Sequence, residues 1–167
     1  ALKIASSNYN SIAIASKNLK NYSQAIDYYK LAIKTSQKEI DSLAFYNNIG
    51  DTYLEQKNNK IAKSYFKIAL KTTDSIDYAR ALNNLAKANF LETPSYNAYP
   101  VLEKALLIRM HQKDDKEITS SFSTLADFYF KRNPKKSLFY TNEMYKIALK
   151  NKNPDDQLEA LNKLILL

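Results

Sequence analysis

One stretch recurs along this chain and constrains its fold more than any bulk property. It reads Tyr46-Asn-Asn-Ile49-Gly50-Asp-Thr-Tyr53, followed by Ala62, Phe66 and Ala69. The template is large-x2-Ile-Gly-x2-Tyr-x8-Ala-x3-Phe-x2-Ala. It fits an earlier copy at Tyr9, Ile12, Ala13, Ser16, Ala25, Tyr29 and Ala32, and a later one at Leu82, Leu85, Ala86, Asn89, Ala98, Leu102 and Ala105. A fourth copy runs through Phe122, Leu125, Ala126, Tyr129, Ser137, Thr141 and Met144, and Leu161 and Leu164 begin a fifth. Each copy holds two segments with apolar residues at i, i+3, i+4 and i+7, the stripe of an amphipathic helix. Small residues at Ala13, Gly50, Ala86 and Ala126, and at Ala25, Ala62 and Ala98, fall where the two helices of a hairpin must approach closely. The single glycine and four prolines leave little room for tight β-turns. Such units cannot bury their apolar faces alone and must stack.

The middle copy resembles the tetratricopeptide repeat at every signature column except the leading Trp, here Tyr46, and the closing Pro, here Asp74. The resemblance implies an all-α fold, an α-solenoid of antiparallel helix hairpins in a right-handed superhelix. It comprises four full hairpins plus one extra helix, in one domain over 1–167. Repeats are expected at about 6–41, 43–77, 79–115 and 119–153, with a partial one at 155–167. From Ile12 through Ile49, Leu85, Leu125 and Leu164 the steps are 37, 36, 40 and 39 residues, above the standard period of about 34. The excess predicts second helices longer by about a turn. It resembles the longer-period subclass, including bacterial signalling and kinesin light-chain types, with Leu82 to Ala86 matching its Leu-Asn-Asn-Leu-Ala motif.

Helix punctuation agrees. Asn133-Pro134 and Asn153-Pro154 each set a capping residue before a proline at the first helical position. Asp155 and Asp156 then lie in the first turn, where carboxylates suit the helix dipole. Thr93-Pro94 marks a turn, and Pro100 requires a helix that starts near Asn97.

Catalysis finds no convergent set of polar groups. With no cysteine and a single histidine, His111, the chain offers no thiolate, no zinc-type motif and no cysteine nucleophile. The glycine is used at a helix crossing, so no phosphate-cradling loop is present. Asp114-Asp115 and Asp155-Asp156 read as turn and cap residues. Neither a cofactor nor an enzymatic role is expected. No apolar run reaches the ~18 residues of a membrane span, so this segment is expected to make no membrane contact. The Ala1 start and the apolar end from Leu161 to Leu167 are read as those of an excised piece of a longer protein.

Solenoids of the resembled family bind partners along the face lined by first helices. The column after each leading large residue reads Asn10, Asn47, Asn83, Ser123 and Asn162, and the next adds Asn48 and Asn84. Asparagine is a mediocre helix former with no local reason to recur mid-helix. Its amide both donates and accepts, so a row of them can pair with a peptide backbone whatever its side chains. Contact with the neighbouring hairpin is the alternative for this row. Asp51, Lys87 and Asp127 follow one turn later, and Arg80 comes one turn before. This set forms the expected peptide-binding groove. The clamp by which some family members hold a terminal carboxylate needs Lys, Asn, Asn, Lys and Arg. The positions here are Asn10, Ile14, Asn48, Arg80 and Asn84, and only Asn48 matches outright.

The expected function is therefore a protein- or peptide-binding module, within a larger bacterial signalling or regulatory protein. The net charge of +8, from 22 lysines and three arginines against 17 acids, keeps a nucleic-acid partner as the alternative. Its phosphate stripes would be Lys60, Lys63, Lys67 and Lys71, or Lys135, Lys136, Lys146 and Lys150. Self-assembly is a third reading, a homodimer through Leu161, Leu164, Leu166 and Leu167.

Overall fold

The apolar periodicity folds into nine helices, and no strand, among the described residues. A computed structural model describes residues 2–167, with side chains for all of these except 2, 3 and 39–41. Ala1, used above in reading the chain as an excised piece, lies outside the described residues. The helices are α1 Leu2–Asn18, α2 Tyr22–Thr35, α3 Glu39–Glu55, α4 Asn59–Ala69, α5 Ser75–Glu92, α6 Tyr99–Gln112, α7 Asp115–Tyr129, α8 Pro134–Lys150 and α9 Pro154–Leu166.

The chain groups into two compact units, Ala1–Pro94 and Ser95–Leu167. In the first, α1 pairs with α2 and α3 with α4; α2 also packs on α3, and α4 and α3 pack on α5. In the second, α6 meets α7, α7 pairs with α8, and α8 meets α9. The small-residue columns do what close approach requires. Ala13, Ala25 and Ala62 are wholly buried, as is Ala98 in the second unit. Tyr29 and Ile49 fill the wider gaps of one cluster, and Phe66 and Leu54 those of the next. Each such side chain contributes about 1.5–3 kcal/mol by leaving water. Ile12, in the same column as Ile49, stays 42% exposed, because no described element covers that side of α1.

The long period is placed differently from the expectation. Second helices α2, α4 and α6 have 14, 11 and 14 residues, whereas first helices α1, α3 and α5 have 17, 17 and 18. Only α8, at 17 residues, outruns its partner α7, at 15. The added residues extend α3 and α5 upstream of Tyr46 and Leu82. Polar residues mark the connections that follow. Ser36 Oγ donates back to the Ala32 carbonyl after α2, and Asp74 caps α5 by accepting from Asp77 N at 2.8 Å.

The predicted caps form. Asn133 accepts from Lys136 N, and Asn153 from Asp155 N and Asp156 N. Pro100 lies at the second position of α6. Lys20, Lys57, Lys113 and Lys152, each just before a capping residue, adopt left-handed φ of 62°, 62°, 56° and 51°. The amide after each closes a six-residue bond: Asn21 N to Ser16 O, Asn58 N to Tyr53 O, Asp114 N to Arg109 O and Asn153 N to Ala148 O. This is the helix-ending geometry in which glycine is the usual occupant. A lysine Cβ there costs roughly 1–2 kcal/mol, part of which glycine's greater freedom in the unfolded chain offsets. Lys20→Gly and Lys57→Gly should therefore each stabilise the first unit by about 0.5–1 kcal/mol. The two should add when combined, read as a rise in the urea midpoint. A fall would mean that these lysines contribute contacts beyond their backbone.

Candidate functional site

The predicted groove residues of the first unit sit together on α1, α3 and α5. Their amides are turned largely toward one another. Asn48 Nδ2 donates to Asn10 Oδ1 at 3.1 Å, joining α3 to α1. Asn84 Nδ2 donates to Asn47 Oδ1 at 3.3 Å, joining α5 to α3, and Asn83 Nδ2 reaches Asn84 Oδ1 at 3.5 Å. Asn47 and Asn83 are buried, at 3% and 1% exposure, whereas Asn10, Asn48 and Asn84 are half-buried. The row is thus layered: a buried inner pair, Asn47 and Asn83, and an outer trio in which Asn48 and Asn84 donate the bonds between helices and which keeps an accessible edge. Each amide has two donor hydrogens and an accepting oxygen, so one bond between helices leaves capacity over.

Charges tie the same helices one turn further on. Lys17 Nζ lies 2.5 Å from Asp51 Oδ2 and 3.1 Å from Glu55 Oε1, again bridging α1 and α3. Burial alone would lower the Lys17 ammonium, but Asp51 and then Glu55 outweigh it and hold it above the ordinary lysine range. Beneath them, burial pushes the Tyr29 hydroxyl up to about 12, with Asp51 and Glu55 adding to the effect and Lys17 opposing it. Arg80 is engaged within α5 by Asp77 at 2.7 Å, and Lys87 is half-buried.

The second unit repeats the device with the signs exchanged. Asp127 of α7 is ion-paired with Lys163 of α9, which also lies 3.6 Å from Glu159. Ser123, 8% exposed, donates to Glu159 Oε1 at 2.5 Å. Asn162 is exposed on α9. A hydrogen-bonded polar pair and an ion-paired lysine thus bridge α1 to α3 and α7 to α9, and an amide pair bridges α3 to α5.

Two features escaped the sequence reading. The first is an aromatic pair inside each of three hairpins. Tyr9 stacks on Tyr28 at 6.2 Å, Tyr46 on Tyr65 at 6.3 Å, and Phe122 meets Tyr140 at 6.0 Å. The intervals of 19, 19 and 18 residues were visible in the sequence. The second is Arg109, wholly buried, whose Nη2 lies 2.8 Å from Glu117 Oε2 and whose Nη1 donates to Ser121 Oγ at 2.6 Å. A single Arg-Glu pair across a turn leaves no periodic signal.

His111 is exposed. Among the described residues no group of three or more His, Cys, Asp or Glu side chains could hold a metal ion, and no helix is long and apolar enough to cross a membrane.

The hairpins, their buried small-residue columns and the polar bridges between first helices define a helical-repeat protein. The tetratricopeptide repeat family model matches residues 6–39 and 43–73, so the first unit carries tetratricopeptide repeats there. No curated protein matches the sequence. Among solved structures, a Rap protein complexed with Competence and Sporulation Factor superposes with a TM-score of 0.79 at 17% identity, over 91% of this chain and 45% of that one. Aspartyl phosphate phosphatase F from Bacillus subtilis gives 0.75 at 14% identity, over 93% and 43%. BtubC from P. vanneervenii gives 0.67 at 21% identity, over 92% and 66%. The chain thus spans less than half the length of the first two.

Proposed function

We propose that this chain is a protein-binding repeat module that takes an extended peptide segment along its first helices. The observation that carries the reading is the outer asparagine trio of the first unit. Asn10, Asn48 and Asn84 are held in place by bonds between helices yet remain partly accessible. Groups oriented in advance lose little freedom when a ligand's backbone pairs with them. Alternating charges at Lys17, Asp51 and Glu55 beside the trio suit a ligand with charges of both signs. The Rap structure, a complex with Competence and Sporulation Factor, supports the view that this fold is compatible with ligand binding. Membership of a larger bacterial signalling or regulatory protein is part of the same proposal, and it rests on likeness of fold.

The test uses peptides selected against the chain from a random library. Asn48→Ala with Asn84→Ala should weaken a selected peptide by about tenfold or more, since each lost hydrogen bond is worth about 0.5–1.5 kcal/mol. Lys67→Ala, on the outer side of α4, should leave affinity unchanged. The buried Asn47 and Asn83 are unsuitable for this purpose, because removing them would disturb the fold itself. Selected peptides that are indifferent to the Asn48 and Asn84 change but lost with Lys67 would overturn the proposal.

A further inference from the structure

The turn between α7 and α8 reads Lys131-Arg132-Asn133-Pro134-Lys135-Lys136, four cations in six residues, all four of them exposed. Five lysines elsewhere hold carboxylates: Lys17 with Asp51, Lys63 with Glu92, Lys146 with Glu143, Lys150 with Asp115 and Lys163 with Asp127. Among the described residues, Lys131, Lys135 and Lys136 have no such partner. What lies under the turn is aromatic. The Arg132 guanidinium sits 4.2 Å above the Phe128 ring. Lys136 Nζ is 5.0 Å from the Tyr129 ring and 5.6 Å from that of Tyr99. Tyr129 in turn stacks on Tyr140 at 5.8 Å. Cations held by ring faces keep their charge outward without neutralisation.

Beside this turn is an apolar pocket of about 200 Å³, lined by Ala126, Asp127, Phe130, Ser137, Lys163 and Leu166. Phe130, 37% exposed, stands on its wall, and Lys131 follows it directly. Unmatched positive charge therefore borders a pocket sized for one bulky side chain.

We propose that the α7–α8 corner of the second unit is a docking surface for an acidic segment of a partner protein. The segment sets one large apolar side chain into the Phe130 pocket, and its carboxylates meet Lys131 and Lys135. Two other occupants fit less well. A second copy of this chain would bring like charge to like, at a net +8 per copy. Single-stranded nucleic acid binds through successive open ring faces, but here the faces of Phe128, Tyr129 and Tyr140 are covered by Arg132, Lys136 and one another. The surface is separate from the asparagine trio on α1, α3 and α5, so the two proposals fail independently.

The probe is a fluorescein-labelled peptide of glutamates around a single phenylalanine, titrated against the whole chain by anisotropy. Lys131→Glu with Lys135→Glu should weaken it by about tenfold or more, whereas the charge-matched Lys60→Glu with Lys67→Glu on α4 should change it less than about twofold. Replacing the probe's phenylalanine by serine should weaken it by a similar factor. Because Lys131 and Lys135 hold no ion pair, the first double variant should melt like the parent. Lys131→Gln with Lys135→Gln offers a milder check, with an intermediate loss expected. Equal losses for the two charge-reversed pairs would reduce the effect to bulk charge and overturn the proposal. So would an absence of binding, or tighter binding of oligouridine that Lys131→Glu with Lys135→Glu abolishes.

Discussion

Replacing Arg109 by methionine should lower the stability of the second unit by about 3–5 kcal/mol, the cost of leaving one member of a buried ion pair without the other. Arg109 is 0% exposed and Glu117 only 8%. The guanidinium lies 2.8 Å from the Glu117 carboxylate as an ion pair, and its Nη1 donates to the Ser121 hydroxyl at 2.6 Å, a charge-assisted bond. The pair also sits where helix dipoles favour it, with Arg109 in the last turn of α6 and Glu117 in the first turn of α7. Glu117→Leu should cost a similar amount by stranding the arginine. The double variant, Arg109→Met with Glu117→Leu, should recover most of the loss, because well-packed apolar replacements of a buried pair are often neutral. Urea denaturation followed by circular dichroism reads all three. Single losses below about 1 kcal/mol would mean that the pair is solvated, not buried, since exposed ion pairs contribute only that much.

Gly50→Ala should also destabilise, against the usual direction for a helical glycine. Helix propensity alone favours alanine by about 0.8–1 kcal/mol. Here an added Cβ would lie 2.6 Å from Phe66 Cε1, 2.7 Å from Phe66 Cδ1 and 3.2 Å from the Ala62 carbonyl oxygen. Phe66 is wholly buried against Leu54, Ala62 and Ala88, so its ring has nowhere to go. Overpacking of this kind costs about 1–3 kcal/mol, leaving an expected net loss of up to about 2 kcal/mol after the propensity gain. Phe66→Leu in the same chain should make the Gly50→Ala step far milder. A rise in the urea midpoint for Gly50→Ala alone would show that α4 can move away.

Much of this architecture was legible because packing writes itself at helical spacing. Ala13, Ala25, Ala62, Ala86, Ala98 and Ala126 were assigned to helix crossings from their columns, and all are buried. Helix length was less legible. Beyond α2, Ser36 returns its hydroxyl to the Ala32 carbonyl, and a single polar contact of that kind leaves no mark in the apolar stripe. The asparagine columns were visible as a bias. Which neighbouring helix each asparagine meets depends on rotation by a fraction of a turn, and periodicity does not resolve that. Adjacent Asn47 and Asn48 divide in this way, one pairing with α5 and the other with α1. Arg109 and Glu117 were invisible as a pair, since nothing in one Arg and one Glu eight positions apart distinguishes a buried bridge from two solvated ends.

The central claim is that the outer asparagine edge of the first unit receives a ligand. Side-chain amide NMR signals test it most directly, with a library-selected peptide titrated into the labelled chain. The account predicts that the Asn10, Asn48 and Asn84 side-chain signals shift saturably and together. The buried Asn83 signal should move little, and Asn58 and Asn59 at the α3–α4 turn should stay in place. Shifts confined to the α3–α4 turn and the outer side of α4, with the trio unmoved, would contradict it.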